Sequence, residues 1–218
     1  MRRADGRRRF ARRGYHHGNL KEALVSSAKQ LILEKGPHGF SLVEAARLAS
    51  VSPAAPYRHY RDRMALLAEV ARRGFTRFAD RLEAAWQGGA PDPDTALRRL
   101  GQAYIKFACE ERASYAAMFM TGIDPEADPE LKAESDRSFA VLLAAAEKID
   151  RPSTSDPRLI SLQIWAFSHG VATLFAQKPE SHRESLPDPM VLLDSGIQLY
   201  LNGLKSHAAK SDLASDTS

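Results

Sequence analysis

The sequence predicts an all-α fold of about nine helices, in which an N-terminal three-helix helix-turn-helix unit precedes a larger helical domain. Three observations carry that prediction. Apolar residues recur at i, i+3, i+4 and i+7 along most of the 218-residue chain. Alternating strand patterns are rare, and β-branched residues never cluster between turn signals. Cap residues and Gly/Pro breaks divide the periodic stretches into helix-sized pieces.

The first helix has the stripe Leu20, Ala23, Leu24, Ala28, Leu31 and Ile32. Asn19 with Glu22 reads as a capping-box start, and Gly36-Pro37 as the stop. A short second helix opens at Ser41, with Glu44 three residues on, Phe40 stapling the entry, and Leu42, Ala45, Ala46 and Ala49 as its stripe. Ser52 as N-cap and Pro53 at the first helical position predict a third helix, kept short by Asp62, which reads as the next N-cap. The fourth is long: Leu67, Val70, Ala71, Phe75, Phe78, Leu82, Ala85 and Trp86 keep one face apolar until Gly88-Gly89-Ala90-Pro91. At ~1.5 Å per residue it spans roughly 35 Å, enough to run from one domain into another. Further helices are predicted at about 94–112, 114–121, 128–149, 156–177 and 188–207. The predicted organisation is a basic flexible arm (1–17), a helix-turn-helix domain (18–75), a C-terminal domain (76–207) and a disordered tail (208–218).

Charge separates these regions. Residues 1–17 hold seven Arg against one Asp, residues 18–75 nine basic against five acidic side chains, and the remainder fifteen against twenty-one. The bland net charge of +4 is therefore +10 joined to −6. Such asymmetry points to a polyanion partner at one end. The single Cys109 excludes a disulfide scaffold, and its neighbours Glu110 and Glu111 disfavour a thiolate nucleophile. No Cys/His spacing suggests a metal, no Gly-rich loop a phosphate cofactor, and no Ser/His/Asp order a hydrolase. No cofactor is expected. The longest apolar run, Phe139 to Ala146, is far short of a membrane span, and the Arg-rich N-terminus lacks an apolar signal core. The cytoplasm is the expected compartment.

Ser41 to Tyr60 has the layout of a helix-turn-helix whose second helix enters the major groove of double-stranded DNA. On a helical wheel Pro56 and Tyr60 lie about 40° apart and, with Val51, form the buried side. The opposite direction falls on Arg58 and Ala54, flanked by Ala55, while Tyr57 and His59 project to the two phosphate walls. Small Ala residues permit close approach, Arg can bind guanine O6 and N7, and hydroxyl or imidazole donors fix register. Ser41 at a helix N-terminus, the hydroxyl of Ser52, Arg61 and Arg63 beside the long helix, and Tyr15 and His16 after the Arg cluster complete the expected DNA-contacting set. Arg7, Arg8, Arg9, Arg12 and Arg13 suit phosphates or the minor groove.

These residues resemble a known family. Tyr15-His16-His17-Gly18-Asn19-Leu20, Phe40-Ser41-Leu42 with Ala45-Ala46, Val51-Ser52, and Ala54-Ala55-Pro56-Tyr57-Arg58-His59-Tyr60 look like the N-terminal domain of TetR-family transcriptional regulators. Trp165-Ala166-Phe167-Ser168-His169-Gly170 resembles the Trp–His–Gly signature of its WHG subtype. The resemblance implies a homodimer, a C-terminal domain that binds a small-molecule effector, and repression relieved by that effector. Two positions depart from the family pattern. Ser50 stands where Gly is usual in the turn, at a cost of order 1 kcal/mol if φ is positive. Tyr60 stands where Phe is usual, so its hydroxyl is expected to reach solvent or a partner.

An apolar effector cavity would be lined by aromatics with a few polar groups. The candidate lining is Phe78, Leu82, Tyr104, Phe107, Met118, Phe119, Phe139 and Trp165, with His169 as polar anchor or structural histidine. For the homodimer, the last two helices offer Ala166, Gly170, Ala172, Gly196 and Gly203 for close approach and Leu192, Leu193, Leu199 and Leu201 for apolar contact. A twofold dimer presents two reading elements to a pseudo-palindrome, with half-sites about one helical turn (~34 Å) or a multiple apart. The alternative is a non-specific architectural DNA binder without an effector, since the Arg arm alone supplies sequence-independent affinity.

Overall fold

The computed structural model describes residues 17–176 and 187–215, and among them every regular element is helical. In chain order these are α1 (His17–Lys35), α2 (Leu42–Leu48), a 3-10 turn at Pro56–Arg58, α3 (Arg63–Trp86) and a 3-10 turn at Gln87–Gly89. Then follow α4 (Pro93–Glu110), α5 (Arg112–Phe119), a 3-10 turn at Pro125–Ala127, α6 (Pro129–Lys148), α7 (Pro157–Ala176) and α8 (Pro189–Ser215). The described residues thus hold eight α-helices where about nine are predicted.

Side-chain caps explain most boundaries. Asp62, Asp92 and Asp128 each accept a bond from a backbone N–H in the first turn of α3, α4 and α6, groups that have no partner within the helix. Gly36, at φ 78°, ends α1 as expected. Three boundaries differ from the sequence reading. α1 starts at His17, so Asn19 lies inside the helix; Glu22, instead of closing a capping box, takes a 2.6 Å bond from Arg73 of α3. α8 runs to Ser215, through the stretch predicted to be a disordered tail, because no Gly or Pro interrupts Leu204 to Ser215 and Ala208, Ala209, Lys210 and Leu213 favour helix. The third predicted helix is only a 3-10 turn.

α3 is the spine. Leu66, Leu67, Val70, Phe75, Phe78, Leu82 and Trp86 along it are buried, and it packs on α1, α4, α5 and α6. One apolar core runs without interruption from Leu20 of α1 to Leu201 of α8. The predicted division at residues 75/76 falls within α3, which belongs to both halves. α1, α2 and the 56–58 turn sit at one end of the spine; α6 and α7 enclose a cleft farther along it.

Candidate nucleic-acid interface and C-terminal cleft

Ser41 caps α2 in a full capping box: its Oγ accepts from Glu44 N at 3.2 Å, while the Glu44 carboxylate receives Ser41 N–H and Oγ–H at 2.9 Å each. Glu44 also takes Lys35 Nζ at 2.6 Å, and these bonds hold its carboxyl down at about 2. Ser41 is therefore already engaged, and an acidic side chain sits where a phosphate was expected. The other end of α2 closes in a Schellman motif. Val51 N–H reaches Ala46 O and Ser50 N–H reaches Arg47 O, both at 3.0 Å, which forces Ser50 to φ 56°. The positive φ anticipated for Ser50 is thus present.

The chain cannot continue as an α-helix after this turn. Pro56 has no N–H to give Ser52 O, which instead accepts from Ala55 N at 2.9 Å. Pro56 becomes the first residue of a single 3-10 turn, with His59 N and Tyr60 N both bonded to its carbonyl at 2.9 Å. The predicted helix, its Ser52 cap and wheel directions beyond one turn do not hold. Burial nevertheless divides the residues much as the wheel did. Pro56 and Tyr60 are buried, Val51, Ala55 and His59 half-buried, and Ser52, Ala54, Tyr57 and Arg58 exposed. Tyr57 is 56% exposed, and the adjacent Arg58 has no acidic partner among the described residues.

The flanking candidates divide by what holds them. Arg61 bonds its neighbour Asp62 at 3.2 Å, whereas Arg63 reaches back to the His38 carbonyl and ties α3 to the loop after α1. Tyr15, His16 and the Arg arm lie outside the described residues. Tyr60 corrects an expectation: its hydroxyl is buried and has no partner among the described residues, so it reaches neither solvent nor acceptor. Burial, then the nearby Glu69 charge, pushes the phenol up to about 12.

In the C-terminal half a cleft of about 270 Å³ opens between α3, α5, α6 and α7. Four predicted residues line it: Phe78, Phe119, Phe139 and Trp165. Leu82, Tyr104, Phe107 and Met118 are instead buried in the core, where Phe78 packs against Tyr104 and Phe107 at 4.9 Å between ring centres. His169, also predicted, does not line the cleft; Trp165 of the lining stacks on it at 5.1 Å between ring centres. Its Nδ1 is 3.0 Å from the hydroxyls of both Tyr104 and Tyr115, and Tyr115 also meets Thr173 Oγ1 at 3.2 Å. Burial lowers the imidazole pKa, which favours the neutral ring, with Nδ1 able to accept from the phenols. Residues not predicted also line the cleft, among them Phe75, Ser135, Arg158 and Leu162. Their signal was spacing: Arg158, Leu162 and Trp165 share one helix face, as do Ser135, Phe139 and Leu142.

α5 joins this cleft to the end of the molecule that holds α1, α2 and the 56–58 turn. Phe119 lines the cleft; just before the helix, Glu111 takes Lys29 of α1 at 2.9 Å and Arg77 of α3 at 3.3 Å. Just after it, the Met120 carbonyl lies 3.0 Å from His38 Nε2. Burial alone would raise the Glu111 carboxyl, but the bond and charge of Lys29, the charge of Arg77 and the Ser114 hydroxyl bring it below its ordinary value. Among the described residues no cluster of three or more His, Cys, Asp or Glu could hold a metal, and no helix is long and apolar enough to cross a membrane.

Comparison with known proteins agrees with this geometry. Residues 97–198 match the family described as Tetracyclin repressor-like, C-terminal domain. The chain is 26% identical over 189 residues to the uncharacterized HTH-type transcriptional regulator YobS of Bacillus subtilis, covering 86% of this chain and 93% of that one. A solved protein of unknown function from Rhodococcus sp. RHA1 superposes with a TM-score of 0.74 at 28% identity, over 88% of this chain and 99% of the other. The TetR family transcriptional regulator PfmR from Thermus thermophilus has the same fold, with a TM-score of 0.65 at 21% identity, over 83% and 98%. With a helix-turn-helix end, an all-helical body and these relatives, the chain is similar to transcriptional regulators of the TetR family, and residues 97–198 match that family's C-terminal domain.

Proposed function

We propose that the protein is a cytoplasmic, homodimeric repressor that binds a pseudo-palindromic operator and is released by a small apolar effector held in the C-terminal cleft. Exposed Arg58 reads base edges; Tyr57, His59, Ser52, Arg61 and Arg63 meet the phosphate walls; Ala54 and Ala55 permit close approach. The Arg arm, with Tyr15 and His16, adds affinity without sequence preference. Trp165, His169 and Gly170 support a C-terminal domain of the WHG subtype.

The observation that carries this reading is the position of α5. One short helix lines the cleft with Phe119 and is tied just outside both ends to the DNA-facing end, through Glu111–Lys29 and Met120–His38. A ligand that displaces Phe119 favours a dimer state in which the reading elements no longer match the half-site spacing, with α3 as lever.

Dimerisation rests on a separate observation. Leu159, Leu162, Ala166, Phe167, Gly170 and Leu174 form an exposed stripe on α7, and Val191, Leu199 and Gly203 lie exposed on α8. Of the residues predicted for this surface, Ala172, Leu193 and Leu201 are buried within the protomer, and Gly196 is pressed against Phe167 of its own chain.

Selecting bound DNA from a random pool, then titrating the selected and random duplexes over a salt series, tests the reading. A specific regulator keeps a large affinity ratio at physiological salt; the architectural alternative loses it. Arg58→Ala is expected to cost about 1–3 kcal/mol on the selected site and relax base preference, whereas deleting residues 2–13 mainly flattens the salt slope. Equal losses on all sequences overturn the role given to Arg58.

A further inference from the structure

We infer that the cleft ligand is a small amphiphilic monocarboxylate: an apolar body among the aromatic rings, with its carboxylate at Arg158. This rests on the reading of the cleft as an effector site and goes beyond its apolar lining. Most of the wall is hydrocarbon: Phe75, Phe78, Phe119, Phe139, Leu142 and Trp165. Two charged side chains line it, and they differ in how they are satisfied. Asp136 is paired with Lys132 at 2.9 Å. Arg158 has no carboxylate partner among the described residues; its guanidinium lies over the Phe139 ring, 5.9 Å from the ring centre. Lys132 also serves Glu126 at 2.8 Å, so Asp136 is partly neutralised, whereas the Arg158 guanidinium is the charge in the lining with no counter-ion among the described residues. In the same lining, the half-buried Ser135 hydroxyl has no hydrogen bond within the described structure and supplies a second donor.

Geometry and size narrow the class. A guanidinium offers a planar fork of donors that matches a carboxylate two-to-two, and the Phe139 face holds that fork at the edge of the apolar wall. The volume of about 270 Å³ equals the liquid share of roughly nine waters, enough for an acid of about ten non-hydrogen atoms.

Isothermal titration of the full-length protein with two matched pairs tests this: cinnamate against cinnamyl alcohol, and octanoate against octanol. At least one acid is expected to bind about tenfold more tightly than its alcohol, the worth of one charge-assisted contact. Arg158→Gln should remove that advantage while leaving alcohol binding and thermal unfolding unchanged, and Arg158→Lys should retain part of it. Asp136→Asn should tighten the acid alone, by removing a nearby negative charge. Alcohols that bind as tightly as acids, or an advantage that survives Arg158→Gln, overturn the anion assignment but leave an apolar effector site standing. Absence of binding by all four compounds overturns both.

Discussion

Ser50 and Tyr60 each contribute a local cost that the fold bears. At φ 56°, Ser50 carries a Cβ in a conformation that favours glycine, and it does so on the surface, where no packing compensates. Ser50→Gly is expected to raise stability by about 0.5–1 kcal/mol, read as a higher denaturation midpoint at unchanged slope. Tyr60 buries a hydroxyl without a partner, so Tyr60→Phe is expected to stabilise by about 1 kcal/mol or more. Tyr60 also shapes the alkaline limit. Its phenol titrates near 10 when unfolded and about 12 when folded, so the stability it contributes is fully present below pH 10 and lost as pH rises through 12. Tyr104 and Tyr115, both raised chiefly by burial, act in the same direction, so Tyr60→Phe should remove only part of the loss in stability between pH 10 and 12. The Ser50 cost could be anticipated, because it depends on one side chain in a turn; the Tyr60 cost could not, because whether a buried hydroxyl finds a partner depends on the packing around it. The cleft was only half legible. Periodicity marks Tyr104 and Phe107 as apolar-facing just as it marks Phe139 and Trp165, and only the packing of α4 against α3 and α7 shows which face the core.

At the scale of elements, legibility followed the caps. Asp62, Asp92 and Asp128 bind nearby backbone atoms and so mark boundaries in sequence. The stretch after Ser52 carried the same cap-and-proline signal and misled, because Pro56, three residues past Pro53, denies the bond an α-helix needs. Contacts between distant elements left no trace in the sequence. Lys29, Arg77 and Glu111 come from three helices or their margins, and nothing local pairs them. Arg77 Nε is buried without a partner, so this joint already carries an imperfectly satisfied cation. Glu111→Gln is expected to destabilise by about 1 kcal/mol, since it leaves two part-buried cations facing each other. Lys29→Met/Glu111→Gln should cost less than the sum of the two single changes. A double-mutant cycle by chemical denaturation reads that coupling, and strict additivity would show that the three groups do not act as a unit.

For the whole molecule, the charge asymmetry and the exposed apolar stripe of α7 and α8 describe two different surfaces. The basic end suits a polyanion; the stripe, with Leu199 72% and Leu174 53% exposed, suits its own copy. On the proposed reading neither serves alone, because one short turn, with Arg58 as its one arginine, discriminates weakly, and a twofold dimer doubles the sequence read. Leu174→Glu/Leu199→Glu is therefore expected to yield a folded monomer in sedimentation and to reduce affinity for a selected operator to the level of random DNA. The same charge at Leu33 on α1, 59% exposed but off the stripe, should change neither. The two proteins should unfold at similar temperatures at low concentration, because none of these side chains belongs to the protomer core. A double variant that stays dimeric places the twofold contact elsewhere on the molecule. A monomer that still prefers the operator shows that one turn is sufficient to read it.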